Sequence, residues 1–332
     1  MPSDDAGTMP EAYAETPAIA TQPTAEVTPC RCAPCNPGRM GAAVTPLLIV
    51  AIVALNYIPS VLFALDMGVD AATVALVVVF HLLLLLMIVA WSFTCATDPG
   101  VPPERWQRQM AGEAAAGREV PRICAKSGLY KPPRSHYCSV TGRLTLNMDH
   151  FCPWVVNTVG FYNRKFFVLF LFYTLLSTLW VLATFVPTFL EFGSWAVRRS
   201  PLRRGWTPTQ FLVTWMALLV DGTLALMLLC FFGFHFHMVL RNTTTIEASA
   251  RGFDVGWRKN LESVMGTNPY LWFVPIWGTG PAGDGVHWER KPESGELRTL
   301  GDVEGGRGPP PDQSDNAVLL DHACSDSSAG RY

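Results

Sequence analysis

Four long apolar stretches limit what this chain can fold into. Each is long enough to cross the hydrocarbon core of a bilayer, which takes roughly 20 residues in a helix, and Asp221 is the only Asp, Glu, Lys or Arg within them. With 49% hydrophobic and only 16% charged residues among 332, the chain is more apolar than an ordinary soluble domain. We therefore predict an all-α polytopic membrane protein with four transmembrane helices, at residues 43–65, 71–96, 166–190 and 211–240.

The segments around these stretches differ from them in composition. Residues 1–42 are rich in Pro and Thr and lack the basic start and early apolar core of a secretory signal, so we expect a disordered cytosolic tail. Residues 291–332, rich in Gly, Pro, Ser and Asp, predict a second disordered tail. The rest divides into a helix pair at 43–96, a small loop-rich cytosolic domain at 97–165, a second helix pair at 166–240 and a cytosolic C-terminal segment at 241–290.

Basic residues set the expected orientation. Ten Lys and Arg residues lie between the second and third stretches and nine follow the fourth, whereas the short turn at 66–70 has none. Cytosolic loops carry an excess of such residues, so both termini and the middle domain are expected in the cytosol. The Arg residues between 198 and 204 oppose this assignment, and the larger count decides against them. The net charge of −2 indicates no particular partner, and the sequence has no nucleic-acid-binding motif.

Asp149, His150 and Cys152 form the candidate reactive group, in the sequence DHFCPW at the edge of the third stretch. A thiol is a useful nucleophile as its thiolate, and an imidazole held by a carboxylate raises the thiolate fraction. The nine cysteines of a largely membrane and cytosolic chain are expected to stay reduced. Cys152 is therefore the candidate nucleophile, with His150 as its base and Asp149 orienting the base.

Further motifs accompany this group in a fixed order. A DPG sequence at 98–100 follows the second stretch, a TTIE sequence at 244–247 follows the fourth, and a later segment at 256–285 contains Asn260. Residues 122–167 read RICAKSGLYKPPRSHYCSVTGRLTLNMDHFCPWVVNTVGFYNRKFF. Alone, the first two motifs are an ordinary turn and a helix cap. Together and in this order, they make the chain resemble the DHHC protein S-acyltransferases, also called palmitoyltransferases.

The resemblance implies a two-step reaction. Cys152 would attack the thioester of a long-chain acyl-CoA, and the acyl group would then pass to a cysteine of a membrane-associated protein. His150 would serve as general base and then acid, with Asp149 orienting it. Acyl-CoA is thus a co-substrate, contacted by Trp154 and Lys165, and no permanently bound cofactor is expected. The resemblance also implies supporting roles for residues of the flanking motifs: Asp98, Gly100, Thr244, Thr245, Glu247 and Asn260.

The chain departs from the family at the zinc-ligand positions. The family's domain holds two zinc ions through six cysteines and two histidines. Here the first set of positions has one thiol and the second set has one, and a structural zinc needs four ligands. We therefore predict that zinc is absent. The first set is Cys124, Ser127, Tyr137 and Leu144, and the second is Cys138, Thr141, Phe151 and Thr158.

The replacements suggest another kind of support. Three of them can pack apolar surface and three can hydrogen-bond to turns, so the domain is expected to depend on packing against the membrane helices. Alternatively, four remaining Cys and His side chains could bind one zinc ion together, but His150 would then be a zinc ligand and could not act as the base. That regrouped set would be Cys124, His136, Cys138 and His150.

These inferences leave three classes of function. The leading hypothesis is an enzyme that moves a long-chain acyl group, with palmitoyl as the expected one, from acyl-CoA to protein cysteines. The alternative is a weakly active or inactive family member that acts as a membrane scaffold or adaptor. A transporter or channel is disfavoured because three of the four stretches lack charged residues. We expect a multi-pass protein of the Golgi, endoplasmic reticulum or plasma membrane whose partners are lipids, acyl-CoA and membrane-associated proteins, without nucleic acid.

Overall fold

The structure is a computed structural model that describes scattered residues between 45 and 57, then residues 70–198, 208–247, 252–276, 278 and 280–290. Both predicted tails lie outside the described residues, as does most of the predicted first span, although the residues described between 45 and 57 are helical. Across the described ranges, three helices are long and apolar enough to cross a membrane: Ala71–Ala96, Arg164–Phe185 and Thr214–Leu240. The prediction of a helical membrane protein is thereby confirmed for three spans.

The long helices agree with the apolar stretches to different degrees. Helix α1, Ala71–Ala96, has the predicted bounds, because the Asp70 side chain accepts a hydrogen bond from the backbone N–H of Thr73 at 2.7 Å and caps its first turn. Helix α3, Arg164–Arg198, and helix α4, Pro208–Leu240, extend beyond the predicted stretches. Hydropathy marks the apolar part of a helix, and polar residues can continue the same hydrogen-bonded ladder.

Helix α3 is the central element of the described bundle. It packs against both α1 and α4, and its span is the most buried of the three. Its first turn contains Arg164 and Lys165, both almost fully buried although both carry charges. Buried charges require polar partners, and backbone carbonyls of the segment that follows α4 accept hydrogen bonds from both side chains. The start of α3 is therefore where the membrane helices and the polar segments meet.

A small unit of helix and hairpins separates α1 from α3. It begins with the amphipathic helix α2, Glu104–Ala115. Two antiparallel hairpins follow, formed by β1, His136–Cys138, with β2, Arg143–Thr145, and by β3, His150–Cys152, with β4, Asn157–Val159. Nothing in the sequence predicted these hairpins, because three-residue strands are too short to produce a clear alternation of polar and apolar residues.

Tight backbone contacts at glycines join this unit to the end of α1. Gly100 has φ of +104°, and a Cβ there would come within 2.9 Å of the Tyr162 ring. Its carbonyl accepts a hydrogen bond from the backbone N–H of Leu146 at 3.0 Å. A Cβ on Gly160 would lie 2.8 Å from Thr145 and 3.0 Å from the Pro99 carbonyl. Only glycine fits either place without displacement of the hairpins.

The segment after α4 folds back onto the bundle. It contains helix α5, Trp257–Met265, and a 3₁₀ turn at Pro269–Leu271. The Tyr173 hydroxyl of α3 donates a hydrogen bond to the Phe273 carbonyl. Since Tyr173 lies nine residues beyond the start of α3, roughly 13 Å by helical rise, the turn packs along the side of the helix.

Candidate active site

Strand β3 brings the candidate reactive side chains together. Successive side chains of a strand point to opposite faces, so His150 and Cys152 share one face of the hairpin and Phe151 takes the other. Across the hairpin, Cys152 pairs with Asn157 and Phe151 pairs with Thr158. The order Asp-His-Phe-Cys therefore places the imidazole beside the thiol and directs the Phe side chain away from them.

Asp149 holds the His150 ring from the position just before β3. Its Oδ2 accepts a hydrogen bond from Nδ1 of His150 at 2.6 Å, which leaves Nε2 for proton exchange with the thiol. Burial would lower the pKa of His150, but hydrogen bonds to Asp149 and Cys152, and the negative charges of both, raise it to about 9. At neutral pH, the arrangement therefore places an imidazolium between the Asp149 carboxylate and the Cys152 sulfur.

The Asp149 carboxylate is itself supported on several sides. It is 1% exposed, its Oδ1 accepts the backbone N–H of Thr245 at 2.9 Å, and Arg164 Nη2 lies 3.7 Å from the same oxygen. The Thr245 hydroxyl also donates to the Asp149 backbone carbonyl. Burial would raise the pKa of Asp149, but the hydrogen bond from His150 and the charge of Arg164 lower it to about 2. The carboxylate thus stays ionised although it is buried.

The TTIE residues divide their contacts between two places. Thr245 contacts Asp149, whereas the buried Thr244 hydroxyl has no hydrogen-bond partner among the residues that the structure describes. Glu247 lies 2.9 Å from Nε of Arg134, and the Arg134 guanidinium stacks 4.6 Å from the Phe253 ring and 4.3 Å from the Trp288 ring. The motif therefore supports the carboxylate through Thr245 and joins the hairpin unit to the C-terminal segment through Glu247.

The DPG and Asn260 motifs fix backbone rather than reactive atoms. Asp98 Oδ1 accepts the Gly100 N–H at 2.8 Å, and Asp98 Oδ2 accepts from Arg143 of β2 at 2.6 Å. Asn260 of α5 donates to the Leu240 carbonyl at the end of α4 at 2.8 Å. These contacts hold the hairpins and the C-terminal segment to the ends of the membrane helices.

An apolar cavity opens beside the hairpin that carries Cys152. Trp154 lines it at the hairpin end together with Phe231 of α4, and Phe80 and Val181 line it within the bundle. Val181 lies 17 residues after Arg164, roughly 25 Å along the helix. The Trp154 carbonyl accepts a hydrogen bond from Trp91 Nε1 at 3.1 Å, which fixes the turn at the cavity mouth.

Lys165 does not line this cavity. Its Nζ donates to the carbonyls of Leu271 at 2.9 Å and Ile276 at 2.7 Å, so it holds the turn that packs along α3. These contacts give Lys165 a structural role that the sequence did not suggest.

Comparisons with known proteins identify the family of the chain. The DHHC palmitoyltransferase family profile matches residues 118–251. The probable protein S-acyltransferase 12 of Arabidopsis thaliana is 36% identical over 254 residues, which is 70% of this chain and 86% of the relative. Palmitoyltransferase ZDHHC20 of Mus musculus is 32% identical over 262 residues, 66% of this chain and 68% of the relative.

The chain belongs to the DHHC palmitoyltransferase family. The resemblance read from the motifs is thereby confirmed, together with the prediction that the protein is an enzyme of this kind. The family is named for a DHHC sequence, and in this member Phe151 stands at its third position. Because Phe151 lies on the face of β3 away from His150 and Cys152, this departure leaves the reactive face intact.

The second set of zinc-ligand positions comes together between the two hairpins of this family member. The Thr158 hydroxyl donates to Cys138 Sγ at 3.2 Å and lies 3.4 Å from the Thr141 hydroxyl. Phe151 is the register partner of Thr158. One thiol, two hydroxyls and a phenyl ring do not make a zinc site, and the Thr158 hydroxyl donates a hydrogen bond to the thiol instead.

The first set is also connected without the donors of a metal site. Cys124 and Ser127 belong to one turn, in which the Ser127 N–H donates to the Cys124 carbonyl at 3.3 Å. Tyr137 pairs with Leu144 across the β1–β2 hairpin, and Lys126 Nζ lies 5.8 Å from the Tyr137 ring centre. Throughout the described part of the chain, no three His, Cys, Asp or Glu side chains are grouped so that they could hold a metal ion.

His235 is a neighbour of the site for which the sequence favoured an interfacial role over a catalytic one. Its Nδ1 lies 3.8 Å from Asp149 Oδ2, and its ring centre lies 5.5 Å from that of His150. The sequence predicts that His235 and His237 both lie at the membrane interface, at the end of the fourth stretch. The helical period separates them, because residues two apart point in different directions, and the structure buries His235 and exposes His237.

Proposed function

We propose that this protein is a protein S-acyltransferase that carries a long-chain acyl group on Cys152. The observation that carries this proposal is that the buried Asp149 holds His150 on the hairpin face that it shares with Cys152, beside an apolar cavity. The names of the similar proteins, protein S-acyltransferase and palmitoyltransferase, support the same activity.

In the first step, the Cys152 thiolate attacks the carbonyl carbon of an acyl-CoA. A new C–S bond forms at Cys152 and the C–S bond to CoA breaks. The leaving CoA thiolate takes the proton from Nε2 of His150, so the imidazolium acts as general acid. Asp149 keeps the ring oriented throughout, and Thr245 supports Asp149. The contacts of Trp154 and Lys165 with acyl-CoA stay predictions, and for Trp154 its place at the cavity mouth supports this role.

In the second step, the neutral His150 takes the proton from a cysteine thiol of a protein substrate. That thiolate attacks the Cys152 thioester, and Cys152 leaves as a thiolate beside the restored imidazolium. The acceptor is expected on a membrane-associated protein, because the Asp149–His150 pair lies beside Arg164 and Phe167 at the start of the membrane helix α3.

The apolar cavity supports a long-chain acyl group as the transferred group. Burial of a methylene contributes about 0.8 kcal/mol, so a sixteen-carbon chain favours an apolar cavity over water by roughly 11 kcal/mol. The lining residues are almost all apolar and extend from Trp154 to the level of Val181. We propose palmitoyl as the acyl group on this basis.

We also propose four membrane helices with the hairpin unit and both termini in the cytosol. Ile49, Ile52 and Val53 line the same cavity as α1, α3 and α4, which supports a first span packed against the other three. Eight Lys and Arg residues lie between α1 and α3 and nine follow α4, and basic segments favour the cytosolic side. The membrane would be one of the endomembrane system or the plasma membrane.

The hairpin unit is proposed to hold its shape without zinc. Zinc commonly contributes on the order of 10 kcal/mol to small modules, so other contacts must replace it. The Thr158–Cys138 hydrogen bond and the Arg134 contacts with Glu247 and the aromatic rings support this proposal.

A zinc count tests the metal-free proposal. The purified protein is expected to contain no stoichiometric zinc by elemental analysis, before and after chelation. The variant that combines T141C, F151H and T158C restores four donors with Cys138, is expected to take up one zinc ion and serves as the positive control. One zinc ion per unaltered chain would refute the proposal.

Acyl-enzyme formation tests the catalytic proposal. Detergent-purified protein is incubated with labelled palmitoyl-CoA, and the label should be retained, be released by hydroxylamine and be absent from Cys152→Ser. Transfer of the label to a cysteine-containing membrane protein should follow. A correctly folded protein without label would favour the scaffold alternative, against which the intact Asp149–His150 contact now weighs.

A further inference from the structure

His235 is the second imidazole of the reaction centre. It belongs to α4, is 3% exposed, and its Nδ1 lies 3.8 Å from Oδ2 of Asp149. This is the same carboxylate oxygen that accepts the hydrogen bond from His150. His235 therefore approaches Asp149 from the membrane helix α4 at Oδ2, whereas Thr245 supports Oδ1.

The surroundings of His235 are aromatic apart from this group. Ring centres of Phe231, Phe167 and Phe234 lie at 4.5, 5.0 and 5.5 Å. A polar ring among apolar rings costs free energy unless a polar partner faces it. The charged and titratable groups that face it from the packed elements are Asp149 before β3, His150 in β3, and Arg164 in α3. Of these, the carboxylate is the hydrogen-bond acceptor.

The reaction changes how well the Asp149 charge is compensated. In the resting state, the His150 imidazolium neutralises it at 2.6 Å. Once His150 has given its proton to the leaving CoA, the buried carboxylate keeps Arg164 at 3.7 Å as its charged neighbour. The distance of 3.8 Å from His235 is too long for a hydrogen bond, and a movement of less than about 1 Å would form one.

We propose that His235 is a positioning residue that donates a hydrogen bond from Nδ1 to Asp149 when His150 gives up its proton. The inference rests on the proposed acyl transfer, because that reaction is what removes the proton. His235 thereby makes proton release from His150 easier and keeps the carboxylate in place during the acyl-enzyme state. Without the donor, Asp149 holds the imidazolium more strongly, and His150 becomes a weaker acid.

Two substitutions separate this role from simple packing. If His235 only packs against its aromatic neighbours, the apolar Leu should replace it better than the polar Asn. If His235 donates a hydrogen bond to Asp149, Asn should replace it better, because Leu has no donor. We expect His235→Leu to slow acyl-enzyme formation about 10-fold, the effect of one lost hydrogen bond to a charged group, with the KM for palmitoyl-CoA unchanged. His235→Asn should stay within about 3-fold of the unaltered protein, by the same reasoning. The opposite ranking would overturn the proposal.

The exposed His237 provides the matched control. His237→Leu and His237→Asn change the same residue type two positions away, outside the site, and are expected to leave acyl-enzyme formation unchanged. Equal losses in the His235 and His237 variants would reject a specific role for His235.

Histidine NMR distinguishes failure of this inference from failure of the proposed function. The His150 midpoint is read directly from ¹³C-labelled histidine in detergent, whether or not the protein transfers an acyl group. It should rise in His235→Leu and stay unchanged in His235→Asn. An unaltered midpoint in both variants would overturn the role of His235 even if the unaltered protein is fully active, and absence of acyl-enzyme with the expected midpoints would overturn the proposed function alone.

Discussion

The two hairpins between α1 and α3 are alike in sequence and size but differ in chemistry. Each opens with His, an aromatic residue and Cys, in β1 as His136–Cys138 and in β3 as His150–Cys152, and each pairs three residues with the returning strand. In both, the strand period places the His and Cys on one face. His-x-Cys on a strand is therefore not sufficient to make a reactive thiol.

The surroundings of the two histidines differ in charge. Burial and the charges of Lys131, Arg122 and Arg134 lower the pKa of His136 to about 4. Burial also acts against the imidazolium at His150, but Asp149 and Cys152 outweigh it and raise the pKa to about 9. The residue before each histidine makes the difference, because Asp149 provides a carboxylate where the first hairpin has Ser135.

Replacement of the two thiols tests the comparison with the largest expected effect. Cys152→Ser should abolish acyl-enzyme formation, because the hydroxyl is not ionised beside His150. Cys138→Ser should retain it, because Cys138 accepts a hydrogen bond from Thr158 in the hairpin packing. Both are measured by hydroxylamine-sensitive label from palmitoyl-CoA, and loss of label in Cys138→Ser with a folded protein would contradict the assignment.

Replacement of the residues before the histidines should have the next largest effect. Asp149→Asn keeps the shape but loses the charge, and we expect acyl-enzyme formation to fall on the order of 100-fold or more, the range of general acid–base catalysis. Ser135→Ala should change it less than about 2-fold, because the Ser135 hydroxyl donates only within its own turn, to the Pro132 carbonyl. The single-turnover rates of both variants provide the check, and similar losses in the two would remove the distinction between the hairpins.

The titrations of the histidines give a third contrast. Since the pKa of folded His150 is about 9 and its ordinary value is 6.5, its pairing stabilises the fold fully below pH 6.5, and this contribution is lost as the pH rises through 9. The pKa of Asp149 is lowered from 3.8 to about 2. The carboxylate therefore contributes stability that is fully present above pH 3.8 and is lost as the pH falls through 2. The pKa of folded His136 is about 4. Its buried neutral ring therefore lowers the stability of the fold as the pH falls from 6.5 towards 4.

Histidine NMR with single-site variants for assignment measures these midpoints. His150 should titrate well above the ordinary histidine pKa of 6.5, and His136 well below it. Two midpoints within one pH unit of each other would contradict the electrostatic account.

The smallest expected effect concerns the contact between the hairpins. Thr158→Val keeps the shape but removes the hydroxyl that donates to Cys138 and approaches Thr141. The loss of one such hydrogen bond should lower the free energy of unfolding by about 1 kcal/mol without loss of acylation. Thermal unfolding in detergent is the measurement, with Thr174→Val, whose hydroxyl donates within helix α3, as the control.

The sequence predicted the reactive group and the spans more fully than it predicted the geometry that joins them. The bounds of α1 followed from hydropathy, and the structure adds the Asp70 cap that explains where the helix begins. The strand period that aligns His150 with Cys152 was hidden in three residues, and the burial of Lys165 depended on a turn about a hundred residues later. The role of His235 was out of reach because a single histidine near a helix end gives no signal of which side faces the site.

The central claim is that an Asp149–His150–Cys152 group on a zinc-free hairpin forms an acyl-enzyme. The most direct measurement is single-turnover acylation by palmitoyl-CoA after exhaustive chelation, with acylation located by mass spectrometry and zinc counted in the same sample. The account predicts full acylation at Cys152 in protein without zinc. Acylation that disappears on chelation and returns only with added zinc would contradict it.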